Sequence, residues 1–322
     1  MKKSINNRVT RGFASVIAPI MLVLLVFATG CAGSGAGTET GAGTADSSKI
    51  ADSDPIVIGS KNFSENLIVA EVYALALEDA GYTVERNFAL NTDVLHTALI
   101  NDEIDLYPEY TGTAYLNILK LEPSFDRDEV YNTVKEQYAE RFNLNVLETS
   151  DVNDTACFIL TNERAEELGI RSFADLQKKA DQIVRATFLS SGEGSRQEWA
   201  EYEKIYGEFK FKDVKSIDPA LSYTALDSGE VDLASGLTTA PELFSGKYHI
   251  LEENVPTYIP YYLVPIVRRA VTDEHPDVAD ILNGISTRLN NEIIIGLITQ
   301  TDVDKIEYED VAKEYFDVNV KR

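Results

Sequence analysis

The sequence predicts an α/β protein of two lobes with a ligand cleft between them, on three observations. Strand-like and helix-like segments alternate from Pro55 onward. The string TALINDEIDL at Thr97–Leu106 returns 127 residues later as TALDSGEVDL at Thr224–Leu233. The 268 residues from Pro55 to Arg322 suffice for two domains of ordinary size. The offset is too long for a solenoid repeat. Each copy reads as helix end, tight turn, acid and apolar strand; the first delivers YPEYTGT and the second ASGLTTAPE, two threonine-bearing loops.

The elements follow in order. PIVIGS is a β-branched strand ending at Gly59, and it feeds the helix SENLIVAEVYALALEDAG, where Leu67, Ile68, Val72, Leu75 and Ala76 recur at helical spacing and Gly81 is the stop. TVERNFAL is a second strand, DVLHTALIN a short helix, and EIDLYPEY a third strand running into a loop. Helical pattern resumes around FDRDEVYNTVKEQYAERF. This alternation predicts a largely parallel sheet, with ligands gathered at the carboxyl ends of its strands, where GSKNFSE and YPEYTGT lie. A second lobe opens with CFILTNERAEELG and ends at PTYIPYYLVPIVRR, and the last helices return to the first lobe. The predicted organisation is residues 55–155 in lobe one with 264–322 returning to it, 156–263 in lobe two, and a hinge at two crossings near Asp154 and Leu263.

The N-terminus reads as an export signal. Lys2, Lys3, Arg8 and Arg11 precede an apolar run from Gly12 to Ala28, then Thr29-Gly30-Cys31. The small pair before Cys31 resembles a bacterial lipobox, which predicts cleavage after residue 30 and lipidation of Cys31; a transmembrane anchor is the alternative for the same run. Residues 31–54 hold almost nothing large enough to bury and read as a flexible tether. On either reading the rest of the chain is extracytoplasmic.

Charge and chemistry narrow the function. The 29 basic and 53 acidic residues give a net −24, falling to −28 once the signal's four basic residues are removed, which disfavours nucleic acid as a partner. With Cys31 lipidated, Cys157 has no disulfide partner and reads as a buried small side chain. The three histidines, His96, His249 and His275, lack metal-ligand spacing, and no serine elbow motif appears, so neither enzyme chemistry, a metal nor a cofactor is predicted. Aromatic residues are the stronger lead. Tyr107 and Tyr110 flank a Pro-Glu turn and are sent to different sides by strand alternation, Trp199 is the one tryptophan, and Tyr258, Tyr261 and Tyr262 crowd the second crossing. Gathered at a cleft, rings recognise a quaternary ammonium, which has no N–H to donate, at about 0.5–2 kcal/mol per face.

Two motifs, IGSKNFSENLIVAEVYALALE and EIDLYPEYTGTAYLNIL, resemble the extracytoplasmic binding proteins of osmoprotectant ABC importers, those for glycine betaine, carnitine and choline. The likeness extends through SFADL, KFKDVKSIDPALSYTALDSGEVDL, IPYYLVPIVRR and EDVAKEYF. It implies a type II periplasmic-binding-protein fold, closure of two lobes on a solute, and delivery by a monomer to a permease with an ATPase partner. Of the family's cage tyrosines, it implies one at Tyr110 and an aromatic replacement at Trp199, while Ala156 and Leu237 stand where two others would be. Asn153 and Thr155 belong to the segment that resembles the family's Asn-Asn-Thr-Tyr, and Tyr261 is a candidate to compensate for a lost ring.

Polar ends of such a solute need donors. Ser60, Lys61 and Asn62, beside a helix N-terminus, are candidates for a carboxylate; Thr111, Thr113, Thr238 and Thr239 offer hydroxyls from either lobe, and Arg196 offers an anion clamp. Each is equally suited to a cap or a turn. The predicted ligand is a quaternary-ammonium or zwitterionic compatible solute. An amino acid, a thione- or amide-bearing betaine, or a surface adhesin or sensor role remain alternatives.

Overall fold

The computed structural model describes residues 54–188, 202–218 and 221–321. The predicted signal, Cys31, the tether up to residue 53, Arg196 and Trp199 lie outside the described residues.

The first sheet has the order β2-β1-β3-β10-β4, built from Ile56–Lys61 (β1), Val84–Leu90 (β2), Leu106–Tyr110 (β3), Leu144–Val146 (β4) and Leu263–Arg268 (β10). β1 pairs in parallel with β2 and β3, but β10 runs antiparallel to both β3 and β4. The sheet is thus mixed, because β10 enters from the second crossing and runs against β3. The second lobe carries a sheet of order β8-β5-β9, from Ala156–Thr161 (β5), Ala234–Leu237 (β8) and Tyr248–Ile250 (β9), and a parallel pair, Val184–Phe188 (β6) with Asp213–Ile217 (β7). Two α/β lobes joined by two crossings constitute a type II periplasmic-binding-protein fold.

Each face of the first sheet buries its own core. One face packs Ile56, Ile58, Leu106 and Leu263 under the Ser64–Asp79 helix and the C-terminal helices. That helix carries no polar stripe along most of its length because the Asn291–Asp302 and Tyr308–Asn319 helices cover its outer side. The other face packs Leu95, Leu99, Tyr107 and Tyr138. Tyr107 and Tyr110, three residues apart on β3, fall in opposite cores, as alternation requires.

The internal repeat has a structural meaning. Asp105 N donates to Val57 O at 2.7 Å, and Asp232 N donates to Val184 O at 2.8 Å. The same two carboxylates return the bond, Asp105 Oδ2 accepting from Val57 N at 2.8 Å and Asp232 Oδ2 from Val184 N at 2.7 Å. Each also holds an arginine, Arg268 and Arg164 respectively, at 2.8 Å. The Asp of each TAL…DL string therefore locks its lobe's strand entry to the first strand of a parallel pair.

The crossings run side by side. Asn153 and Tyr262 form an antiparallel bridge, flanked by Leu263 N to Val152 O at 2.9 Å and Asp154 N to Tyr261 O at 3.0 Å. Asn291 clamps the first crossing: its Oδ1 accepts from Asn153 N at 2.8 Å and its Nδ2 donates to Asn153 O at 3.1 Å.

Candidate functional site

A cavity of about 510 Å³ opens where the start of the Ser64–Asp79 helix, the first crossing, β8 and the end of the Asn291–Asp302 helix meet. Its walls include Phe63 and Glu65 from lobe one, Asp154 and Ala156 from the crossing, Tyr223, Leu237 and Thr239 from lobe two, and Asp302 from the returning helix. Volume and position suit a small-molecule cleft. Ala156 and Leu237, the positions without the expected rings, face each other in the β5/β8 register and both line it.

Glu65 is buried, and its Oε1 accepts the Tyr110 hydroxyl at 2.6 Å. Burial pushes its carboxyl up to about 8, and the charge of Asp154 adds to this; hydrogen bonds from Tyr110 and Thr239 and the ammonium of Lys61 act in the opposite direction. Asp154 Oδ1 accepts the Thr239 hydroxyl at 2.6 Å, and burial raises this carboxyl too, against the pull of Thr239 and Lys61. Thr239, on lobe two, thus bonds the acid of the first crossing. At the outer side, Ser64 Oγ donates to Asp302.

With that geometry in place, comparison with known proteins gives the family. The description "Substrate binding domain of ABC-type glycine betaine transport system" matches residues 54–317. The chain belongs to this family. Among relatives, it is 28% identical over 276 residues to a glycine-betaine-binding protein of Pseudomonas aeruginosa, covering 83% of this chain and 88% of that protein. It is 26% identical over 268 residues to an ergothioneine transport permease/ergothioneine binding protein, EgtU, of Helicobacter pylori, covering 82% of this chain. The chain spans about half the length of that relative, 47%. A crystal structure of a glycine betaine/carnitine/choline ABC transporter superposes with a TM-score of 0.76 at 21% identity, covering 81% of this chain and 97% of that one. Apo YehZ from Escherichia coli superposes at 0.72 with 23% identity, covering 82% and 98%. Both likenesses establish the fold.

Within this family fold, the sequence-predicted residues divide clearly. Thr239 alone of the predicted set lines the cavity among the described residues. Tyr110 is 3% exposed and reaches the cavity through Glu65, while Lys61 stands 4.8 Å from its ring centroid. The carboxylate subsite expected at Ser60, Lys61 and Asn62 is not assembled: Ser60 Oγ accepts Ala89 N at 3.0 Å, the Lys61 ammonium pairs with buried Glu109, and Asn62 is exposed. The Ala89 backbone is left-handed, φ 65°, at a register shift between β1 and β2, so Ser60 serves that irregularity.

Four predicted residues hold the crossings together. Thr111 Oγ1 donates to Pro260 O at 3.1 Å and accepts from Tyr262 N at 3.0 Å. Asn153 Oδ1 accepts from Tyr261 N at 2.8 Å. Thr155 Oγ1 donates to Ile259 O at 2.7 Å, and Thr238 Oγ1 donates to Asn153 O at 2.6 Å. Thr113 is buried, and the Tyr261 ring lies flush against Gly112. Tyr258 donates its burial to lobe two, its hydroxyl accepting from Phe158 N at 3.1 Å, and Tyr262 lies under the Arg127 guanidinium at 3.9 Å. Cys157 is fully buried, its thiol pushed up to about 12 by burial.

The wall residues missed by sequence reasoning include Phe63, Glu65, Asp154, Tyr223 and Asp302. Glu65 sits in the first turn of a helix, where an acid reads as a partner of the helix dipole. Asp302 is 237 residues further along the chain.

Proposed function

We propose that this chain is the extracytoplasmic solute-binding component of an ABC importer, which takes a small quaternary-ammonium or zwitterionic solute between its lobes and hands it to a membrane permease coupled to an ATPase. The observation that carries this reading is the interlobe cavity, whose walls hold the acids Glu65 and Asp154 together with the aromatic residues Phe63 and Tyr223. Acids supply charge and rings supply polarisable faces, the two means of holding an ammonium group in a site sheltered from water. The relatives support it by class: one is a glycine-betaine-binding protein, another a carnitine transport binding protein of Listeria monocytogenes at 24% identity. The solute enters by lobe closure about the paired crossings, and lipid on Cys31 keeps the protein, acting as a monomer, beside its permease.

Thermal denaturation against choline, glycine betaine, carnitine, ergothioneine and amino acids tests the reading. A ligand at 100 times its Kd adds about 2.7 kcal/mol of stability. A shift with at least one quaternary-ammonium solute is expected; a shift confined to amino acids, whose primary ammonium donates N–H bonds, sinks the quaternary-ammonium reading.

A further inference from the structure

We infer that Asn291 and Thr238 form a latch across the hinge: the pair holds lobe two at its observed spacing from the returning helix, and so sets solute affinity without touching the solute. Only the affinity arm of the test below rests on the proposed function.

Asn291 opens the returning helix Asn291–Asp302, and its neighbour Asn290 fixes that end, the Asn290 side chain accepting from Ile293 N at 3.0 Å. The Asn291 carboxamide meets both backbone groups of Asn153, with Oδ1 on the N–H and Nδ2 on the carbonyl. This match fixes the orientation of the amide, since the reverse would set NH2 against N–H. Nδ2 carries a second hydrogen, which it donates to Thr238 O at 3.3 Å.

Thr238 is seated on the other lobe. It follows β8; its N–H donates to Thr155 O at 3.0 Å, and its hydroxyl accepts from Thr155 N at 3.0 Å. From that seat it reaches back past Asp154. The Asn153 carbonyl receives a donor from either side, Asn291 Nδ2 at 3.1 Å and Thr238 Oγ1 at 2.6 Å. Rotation about Asp154 carries Thr238 with lobe two and leaves Asn153 with Asn291, so it strains or breaks the Thr238–Asn153 and Asn291–Thr238 bonds together. The short helix Pro241–Ser245, just beyond, packs against the same returning helix. Thr239, the next residue after Thr238, stands on the cavity wall and bonds Asp154. A latch here therefore positions one wall of the cleft, and partial loss of the binding-competent spacing lowers apparent affinity by the same fraction.

Small-angle X-ray scattering of the full, ligand-free chain reads the lobe spacing, and titration calorimetry with choline and with glycine betaine reads affinity. Asn291→Ala is expected to raise the radius of gyration. It is expected to weaken both solutes by one factor, between about threefold and tenfold, the equilibrium effect of about one net hydrogen bond. Asn291→Asp keeps the acceptor for Asn153 N, deletes both donors and is expected to act alike. An equal factor marks a positioning residue, because a side chain touching the solute would separate two solutes that differ in one group. An unchanged radius of gyration, unchanged affinities, or a loss confined to one solute overturns the inference and leaves the proposed function standing. Should Asn291→Ala not fold, Thr238→Val, which deletes the hydroxyl at nearly constant shape, carries the same outcomes. If the wild-type chain binds no quaternary-ammonium solute, the proposed function falls and scattering alone decides the latch.

Discussion

The Tyr110 hydroxyl donates to Glu65 Oε1 across 2.6 Å, tying the last residue of β3 to an acid in the first turn of the cleft-wall helix Ser64–Asp79. The ring itself is packed in the core between β1 and the Ser64–Asp79 helix, so its effect on a solute passes through the carboxyl it positions. Tyr110→Phe keeps the packing and deletes the donor. The expected stability loss is about 1 kcal/mol, the net worth of one hydrogen bond. Solute affinity should fall as well, because Glu65 loses its anchor; calorimetry and urea denaturation read the two effects separately. Unchanged affinity with unchanged stability would show the contact to be idle.

The elevated carboxyl of Glu65 makes a pH prediction with a definite sign. Its folded value of about 8 lies above the ordinary 4.5, so between those values the folded state holds a proton that the unfolded state has released. This contribution is therefore fully present below 4.5 and is lost as pH rises toward 8. Tyr110, Thr239, Asp154 and Lys61 face Glu65, and Asp154 is raised as well, so it acts in the same direction. His96, lowered by burial, acts oppositely below its ordinary 6.5. Comparing wild type with Glu65→Gln isolates the Glu65 effect. Without ligand, the urea midpoint of wild type relative to the variant should decline from pH 5 to pH 8, and parallel curves would contradict the assignment.

Much of the architecture was legible because it is local. β-branched runs, helical spacing and the paired TAL…DL strings are patterns within a few residues, and the strings proved to mark the same aspartate lock in both lobes. The cavity was less legible because its walls come from distant segments. In a chain with 53 acids, nothing in the sequence singles out Glu65, Asp154 and Asp302 as neighbours. The partner of Lys61 was hidden for the same reason: its ammonium pairs with Glu109, 48 residues away. The threonines near the loops are legible as polar groups, but a backbone crossing needs hydroxyls as much as a solute does, and among the described residues of the expected set Thr239 is the one on the wall.

The glycine of YPEYTGT has a steric role that can be tested. A Cβ on Gly112 would stand 2.6 Å from the Tyr261 ring, inside any tolerated contact. Gly112→Ala must displace that ring or the crossing that carries it, at a cost of about 1–3 kcal/mol. Because Tyr261 N also donates to Asn153 Oδ1 and Tyr261 O accepts from Asp154 N, the displacement should reach the cleft and weaken solute binding. A melting temperature within error of wild type would mean that the ring moves freely.

Leu237 offers a gain-of-function test. It is 49% exposed, lines the cavity and pairs in register with Ala156, so a larger side chain has room on the open side of β8. Leu237→Tyr places a ring where the family resemblance expects one, adding a face to an ammonium already opposed by Asp154 and Glu65. One face is worth about 0.5–2 kcal/mol, so affinity for choline should rise by up to about thirtyfold. A neutral alcohol of similar size should gain far less, since it lacks the charge that the ring attracts. Equal gains for both would indicate simple filling of apolar space, and a loss for both would mean that the ring closes the cavity; calorimetry with the two ligands separates these outcomes.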